Sequence, residues 1–312
     1  MASTTQSSKL SAWYAATRPR VFVASFVPMG IAAMIAIEDG VFVWWKFALS
    51  LIGVMLLQTT ANLVNEYMDY VRGSDDLKEA GQSMTLKNKL LTADEIRNGA
   101  IISTILGSAI GLFLLAQSGL WLLAIGIGGV LIAITYTAGP FPLAYNGLGE
   151  VAAGIFMGPM IVLGAYYVMQ PSISAYKGLQ LSLLAFPIMF TTAAILHANN
   201  IRDIKADRVA NKRTLAVQFG IEIARVEYKV LLAACYVSQV ILVLIGWMPF
   251  PTLLTLATIP LAVKLARIFD TETDVPTLHA AQGATAKLHG RIGLLMVIGW
   301  AIALVLQALV ST

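Results

Sequence analysis

The chain has 312 residues, of which 58% are hydrophobic and only 12% are charged, and its formal net charge is +4. A mean hydropathy of +0.76 excludes an ordinary water-soluble domain and indicates a protein that crosses a membrane several times. A single cysteine, Cys235, excludes a disulfide framework, and the polar segment before residue 18 lacks the apolar core of a signal peptide.

Long apolar stretches follow one another along the chain. An α-helix needs about 20 mostly apolar residues to cross the hydrocarbon core of a bilayer. The stretches therefore predict an all-α protein with nine transmembrane helices, folded as one domain over residues 1–312. The predicted helices cover residues 20–37, 42–69, 94–116, 119–137, 149–169, 177–200, 224–246, 250–269 and 285–309.

Lysine and arginine are distributed unequally between the predicted loops. Nineteen of the 21 basic residues fall on the side of the amino terminus, whereas only Lys46 and Lys177 fall on the other side. The positive-inside rule makes the basic side cytoplasmic, with the amino terminus inside and the carboxyl terminus outside. Topology thus accounts for the pI near 9.1, and we expect no nucleic-acid partner.

Two polar clusters stand where the second and sixth predicted helices end. A carboxylate at the centre of a bilayer helix costs roughly 2.5–3.5 kcal/mol on insertion scales, so it generally lines a cavity or binds an ion. Spacings of i, i+3 and i+7 place three side chains of each cluster on one helical face. These faces consist of Asn62, Asn65 and Asp69 in the first cluster and of Asn200, Asp203 and Asp207 in the second.

The donor types in these clusters favour magnesium. Mg²⁺ prefers oxygen ligands and is commonly held by one or two carboxylates together with substrate phosphates. Two such faces predict a magnesium site that binds a diphosphate. Solvation in a cytoplasmic loop or pairing at a helix end is the alternative for the carboxylates. The shared Asn–Asp spacing, offset by 134 residues, also hints at a repeat of two four-helix units plus a ninth helix.

Basic residues interleave with the acidic ones. Arginine can bind phosphate oxygens through two N–H groups at once, and lysine supplies a point charge. The alternative for each of them is a purely topological role at the membrane surface. The interleaved residues are Arg72, Lys78, Arg202, Lys205, Lys212 and Arg213.

A third polar stretch covers residues 136–150. Gly139, Pro140 and Pro142 break the helical pattern and predict a loop on the side of the two clusters. Tyr136, Tyr145, Asn146 and Glu150 would then face the ionic site. A tyrosine there can offer its π face and hydroxyl to a cation. An aromatic belt at the membrane interface is the alternative.

These stretches resemble the UbiA superfamily of intramembrane prenyltransferases. Within it, the similarity is greatest to the branch that prenylates 1,4-dihydroxy-2-naphthoate. The motifs that carry the resemblance lie in residues 16–20, 62–75, 139–150 and 199–215, so they span most of the chain. The resemblance implies nine helices around a central cavity in the cell membrane, with a cytoplasmic cap formed by the loops after the second and sixth helices.

The resemblance also implies roles for individual residues. Asn65, Asp69, Asn199, Asp203 and Asp207 would hold Mg²⁺, with Glu66 and Asp75 as further candidates. Tyr136 and Tyr145 would join Asn65, Asp69, Asp203 and Asp207 as catalytic residues. The residues that would bind the diphosphate are Arg20, Arg72, Lys78, Arg202, Lys205, Asn62 and Asn200.

The implied reaction transfers a polyprenyl group from polyprenyl diphosphate to 1,4-dihydroxy-2-naphthoate with loss of carbon dioxide. Its product would be demethylmenaquinol, in menaquinone biosynthesis. Two alternatives stay open at this point. One is a UbiA-type enzyme for another acceptor, namely 4-hydroxybenzoate, haem or chlorophyllide. The other is a cation-coupled transporter, although the clusters lie near one membrane face rather than at the midplane where transporters bind.

Overall fold

The computed structural model describes residues 9–73 and 84–311. Within these ranges the chain forms α-helices joined by short loops and contains no β-strand, which confirms the all-α prediction. The helices are α1 (Lys9–Ala16), α2 (Val23–Glu38), α3 (Trp44–Val71), α4 (Ala93–Ser118), α5 (Trp121–Thr135), α6 (Gly149–Ile155), α7 (Ile161–Met169), α8 (Ala175–Leu184), α9 (Phe186–Val209), α10 (Leu215–Phe219), α11 (Ile221–Leu244), α12 (Ile259–Thr271) and α13 (Val275–Ser311).

Helices of membrane-spanning length dominate the described part of the chain, so the protein is a multi-pass membrane protein. Two bent pairs, α1 with α2 and α8 with α9, raise the number of candidate spans from six to eight if each pair crosses once. The count of nine stays a prediction, because α5 has 15 residues and is only about 22 Å long. The six single spans are Trp44–Val71, Ala93–Ser118, Gly149–Met169, Ile221–Leu244, Phe250–Thr271 and Val275–Val310.

Prolines account for most interruptions of the helices. Pro19 begins the short 3₁₀ turn that precedes the first bend, of 51°, and Pro187 follows the second bend, of 46°. Proline lacks the N–H that would continue the preceding helix, but it is tolerated in the first turn of a new one. Pro159 lies in a π-helical turn, Phe156–Met160, that joins α6 to α7. The predicted sixth helix, residues 177–200, corresponds to the bent pair of α8 and α9.

The interior of the bundle is built around α9. This helix packs against α6, α11 and α13, while α3 packs against α4 and α5 on the other side of the molecule. Large apolar side chains such as Ile105, Leu112 and Leu294 are exposed on the outer faces. In a bilayer those faces contact hydrocarbon rather than water, so their exposure is what a spanning helix requires.

A smaller apolar cluster holds α1 against the ends of α3 and α4. Ala12 and Ala16 of α1 are buried together with Leu63 and Ile96, and Trp13 packs against them. The Trp13 ring lies so close to Gly99 that a Cβ at position 99 would come within 2.7 Å of it. The segment that precedes α2 is therefore docked on the bundle.

Three predictions about the whole chain are not decided by this architecture. The internal repeat, the orientation of the termini and the cytoplasmic cap stay predictions. Residues 74–83, which contain much of the loop after α3, lie outside the described residues, and so do the predicted Asp75 and Lys78.

Candidate active site

A cavity of about 390 Å³ opens between α3 and α9 and extends past α4, α5 and α7. Its polar end is lined by side chains from both predicted clusters, and its remaining wall is mostly apolar. This polar end includes Asn62, Asn65 and Asp69 from α3, Asn199, Asn200, Arg202 and Asp203 from α9, and Arg18, Tyr136 and Lys212. Two clusters at least 130 residues apart in the sequence therefore share one cavity.

The cluster on α3 is tied to the loops at its end. Asn65 Oδ1 accepts a hydrogen bond of 2.8 Å from Arg18, and Asp69 Oδ1 accepts one of 2.7 Å from the Tyr145 hydroxyl. Asn62 donates through Nδ2 to the carbonyl oxygen of Thr17 at 2.9 Å. These bonds keep the three α3 side chains on one face and fix the chain before α2 beside them.

Arg18 is a cavity residue that sequence reasoning passed over in favour of Arg20. Its φ of +53° lies in the left-handed region, which non-glycine residues rarely adopt. That turn directs the Arg18 guanidinium to Asn65, whereas Arg20 is exposed and does not line the cavity. A left-handed backbone at Arg18 cannot be inferred from a pattern of residue types. The sequence alone therefore did not identify Arg18 as a cavity residue.

On α9, Arg202 connects the polar side chains of its own cluster. Its Nε and Nη2 donate to the two carboxylate oxygens of Asp203, at 2.7 and 2.6 Å. Nη2 also donates to Asn199 Oδ1 at 2.5 Å, and Nη1 lies 2.8 Å from Nδ1 of His279. Paired carboxylate and guanidinium groups form strong bidentate contacts, so Arg202 orients Asp203 and Asn199.

Asp207 lies one turn further along α9, buried beside Lys212. The Lys212 ammonium is 3.6 Å from Asp207 Oδ1 and also lies over the ring of Tyr145, 5.5 Å from its centroid. Burial alone would lower the pKa of Lys212, but the carboxylates of Asp207 and Asp69 outweigh it and raise that pKa above its usual value. Lys212 is therefore a fixed positive charge in the cavity wall.

Glu66, a further candidate ligand from the sequence, faces a different part of the molecule. It is buried, and its Oε1 accepts hydrogen bonds from the backbone N–H of Thr85 at 2.6 Å and of Leu86 at 3.1 Å. The Thr85 hydroxyl donates to the same oxygen. Glu66 does not line the cavity. Its carboxylate instead holds residues 84–86 against α3.

Besides Arg20, two other predicted diphosphate-binding residues of the described chain lie away from the cavity lining. Arg72 donates to the carbonyl oxygen of Thr137 at 2.9 Å and stacks over Tyr145, with its Cζ 4.4 Å from the ring centroid. Lys205 is exposed on α9. Arg72 therefore supports the Tyr145 loop. In contrast to these residues, Asn62 lines the cavity, where the sequence had placed it.

A buried polar group also joins α6, α9 and α11. Glu150 Oε1 accepts a hydrogen bond from Asn200 Nδ2 at 2.7 Å and lies 3.1 Å from His197 Nδ1. His197 Nε2 lies 2.8 Å from the carbonyl oxygen of Ala224. His197 is fully buried, and no spacing of residues in the sequence predicts its polar contacts.

The donor set fits a magnesium ion only when a substrate supplies further ligands. Among the described residues, no three His, Cys, Asp or Glu side chains stand close enough to hold a metal by themselves. Asp69 and Asp203, with the amides of Asn65 and Asn199, offer oxygen atoms from two walls of one cavity. Magnesium held by one or two carboxylates plus phosphate oxygens requires a set of this kind.

The model of the UbiA prenyltransferase family matches residues 25–280 of this chain. The chain belongs to that family. Among curated relatives, the 1,4-dihydroxy-2-naphthoate octaprenyltransferase of Bacillus subtilis is 30% identical over 91% of this chain and 90% of its own length. The enzyme of the same name from Mycobacterium tuberculosis is 34% identical over 74% and 78%.

A solved UbiA homologue shares the fold. The structure of the Archaeoglobus fulgidus homologue bound to DMAPP and Mg²⁺ superposes with a TM-score of 0.61 at 15% identity, over 91% of this chain and 98% of that one. This likeness establishes the UbiA architecture for the chain. The bound diphosphate and metal are findings about the homologue.

Proposed function

We propose that this UbiA family member transfers a polyprenyl group from polyprenyl diphosphate to 1,4-dihydroxy-2-naphthoate, with decarboxylation to demethylmenaquinol. The observation that carries the proposal is the convergence of both amide–carboxylate clusters on one cavity whose other end is apolar. The names of the Bacillus subtilis and Mycobacterium tuberculosis relatives support the naphthoate acceptor.

The diphosphate would lie at the polar end of the cavity. Asn65, Asp69, Asn199 and Asp203 would hold Mg²⁺ against it, with Asp207 beside them. When bound, the metal would neutralise charge on the departing diphosphate. Arg18 and Lys212 line the same end and supply positive charge whether or not a metal is bound. The Mg²⁺ in the solved homologue supports this arrangement.

The chain's residues would act on the reaction through charge and exclusion of water. Cleavage of the C1–O bond leaves its electron pair on the diphosphate, where Arg18 and Lys212 stabilise the developing negative charge. The allylic cation forms beside Tyr136, whose ring can stabilise it. The ring carbon that carries the carboxylate attacks C1 of the cation. The carboxylate then leaves as carbon dioxide, and the electrons of the broken carbon–carbon bond return to the ring.

The remaining wall suits a lipid tail. Side chains such as Val54, Leu57 and Ile110 line the cavity away from the clusters. We place the enzyme in the cell membrane with its amino terminus cytoplasmic and its carboxyl terminus outside, from the lysine and arginine count. We also propose that residues 1–312 form a single domain.

The decisive experiment supplies purified protein with Mg²⁺, a polyprenyl diphosphate and one acceptor at a time, and measures the product mass. We expect prenylated, decarboxylated product from 1,4-dihydroxy-2-naphthoate and none without a divalent metal. Turnover of 4-hydroxybenzoate instead would overturn the acceptor, and cation-driven solute uptake without prenyl transfer would overturn the enzyme.

In the same assay, Asp69→Ala and Asp203→Ala should each reduce turnover at least a hundredfold, because each removes an anionic oxygen pair from one wall. Asp94→Ala is the matched control, since Asp94 is an exposed carboxylate on α4. Thermal unfolding in detergent checks that the variants are folded. Near-normal activity of either cavity variant would show that the metal assignment is wrong.

A further inference from the structure

Asn200 lines the cavity, and its side-chain amide is held in one orientation. Its Nδ2 donates to Glu150 Oε1 at 2.7 Å, so the amide nitrogen is turned toward that carboxylate. A flipped amide would place two acceptor oxygens against each other at this distance, so the hydrogen-bond network fixes the orientation. Oδ1 of Asn200 therefore points away from Glu150, and it accepts no hydrogen bond from residues 9–73 and 84–311.

The Asn200 carbonyl is poorly suited to a diphosphate. Diphosphate oxygens are hydrogen-bond acceptors, as is the carbonyl oxygen, and the buried carboxylate of Glu150 adds like charge nearby. A ligand group that donates a hydrogen bond suits it better. Of the two proposed substrates, only the dihydroxynaphthoate carries hydroxyl donors.

The surroundings of Asn200 suit an aromatic ring. Tyr136, Ala153 and Leu196 line the same cavity. The Tyr136 hydroxyl lies so close to Gly149 that a Cβ there would be 3.3 Å from it, which puts this phenol at the start of α6 beside Glu150. An aromatic side chain, small and apolar groups and one oriented carbonyl form a site for a hydroxylated arene.

We propose that Asn200 Oδ1 accepts a hydrogen bond from the acceptor's hydroxyl at position 4, and that Glu150 is the positioning residue that orients this amide. The proposal rests on the proposed function. The hydroxyl at position 1 is adjacent to the carboxylate and bonds to it within the molecule, so the position-4 hydroxyl is the available donor. Asn200 is thereby assigned to the acceptor instead of the diphosphate.

The test compares Asn200→Ala with Asn98→Ala, which removes the same amide from an exposed position on α4. The measurements are the KM values of 1,4-dihydroxy-2-naphthoate and of the polyprenyl diphosphate. A third measurement is the inhibition constant of 1-hydroxy-2-naphthoate, which lacks the position-4 hydroxyl. For Asn200→Ala we expect about a tenfold rise in the dihydroxynaphthoate KM, the size of one lost hydrogen bond.

The other two constants should change by less than about twofold, and Asn98→Ala should match the wild type. A rise in the KM of the diphosphate substrate would return Asn200 to diphosphate binding and overturn the proposal. An equal weakening of both naphthoates would overturn it as well, because that result describes a general loss of pocket shape.

Glu150→Gln is a second variant that keeps the size of the side chain. A glutamine amide can both donate and accept, so the Asn200 amide is no longer held in one orientation. We expect the preference for the dihydroxynaphthoate over 1-hydroxy-2-naphthoate to fall; an unchanged preference would remove Glu150 from the proposal. If the wild type itself does not prenylate the dihydroxynaphthoate, the proposed function fails before any variant is compared.

Discussion

At the scale of single residues, the direction of a side chain decides its role as much as its chemistry does. Glu66 and Asp69 are acidic neighbours on α3, yet Asp69 lines the cavity and Glu66 accepts hydrogen bonds from Thr85 and Leu86. Their three-residue spacing separates them around the helix by about 60°. The carboxylate of Glu66 therefore joins α3 to the segment that leads into α4.

Glu66→Ala should lower the free energy of unfolding by about 2–3 kcal/mol, because buried donors at Thr85 and Leu86 lose their partner. The Mg²⁺ concentration for half-maximal activity should stay the same. Denaturant or thermal unfolding and a magnesium titration measure the two effects. Thr85→Val, which removes one donor of the three, should destabilise less. A tenfold higher magnesium requirement in Glu66→Ala would make Glu66 a ligand.

Some of the site could be predicted from residue spacing, and some could not. Helical periodicity is enough to place Asn65 and Asp69 on one face of a helix. The family resemblance indicates Asp203 as a candidate metal ligand. The role of Arg18 depends on a left-handed turn, and that of Arg202 on contacts with Asp203. Such features arise from tertiary structure, which a spacing of residue types does not encode.

At the scale of elements, α1 links the apolar cluster at the ends of α3 and α4 to the polar cavity. Trp13 packs against Gly99, and two residues beyond α1 the chain turns at Arg18 toward Asn65. The apolar stretches predicted the long helices well, because burial in lipid requires length and hydrophobicity. The docking of the short α1 was not predictable in this way, since its eight residues carry no strong apolar face.

Gly99→Ala should displace α1, because a methyl group there would come within 2.7 Å of the Trp13 ring. If Arg18 binds the diphosphate, the displacement should raise the KM of the polyprenyl diphosphate about three- to tenfold. The KM of the naphthoate should change little. Asn98→Ala, at the neighbouring exposed position, serves as the control for α4. Equal changes in both KM values would argue against a link between α1 and the diphosphate.

At the scale of the whole molecule, the cavity joins a charged end to an apolar end within one bundle. Glycines from α3, α4 and α5 keep the apolar wall open. Gly111 lines the cavity, and a Cβ at this position would have no other atom within 4 Å. An apolar wall of this kind suits a linear chain of isoprene units.

Gly111→Leu should therefore shorten the prenyl chain that the enzyme accepts. We expect kcat/KM to fall at least tenfold for a forty-carbon diphosphate and to change little for a ten-carbon one. Gly126→Leu is the matched control, because a Cβ at Gly126 also meets nothing within 4 Å, but Gly126 is not part of the lining. Equal activity of Gly111→Leu on both chain lengths would place the tail elsewhere.

The Arg202–Asp203 pair makes the binding of metal and diphosphate interdependent in the proposed reaction. A guanidinium already neutralises Asp203, so a bare Mg²⁺ is attracted less than two isolated carboxylates would attract it. A diphosphate offers Arg202 a second anion, and the Asp203 oxygens then become available to the metal. Each ligand thus raises the affinity for the other by the same factor, as thermodynamic linkage requires. Free magnesium alone would occupy the site weakly, and the metal would arrive and leave together with its diphosphate.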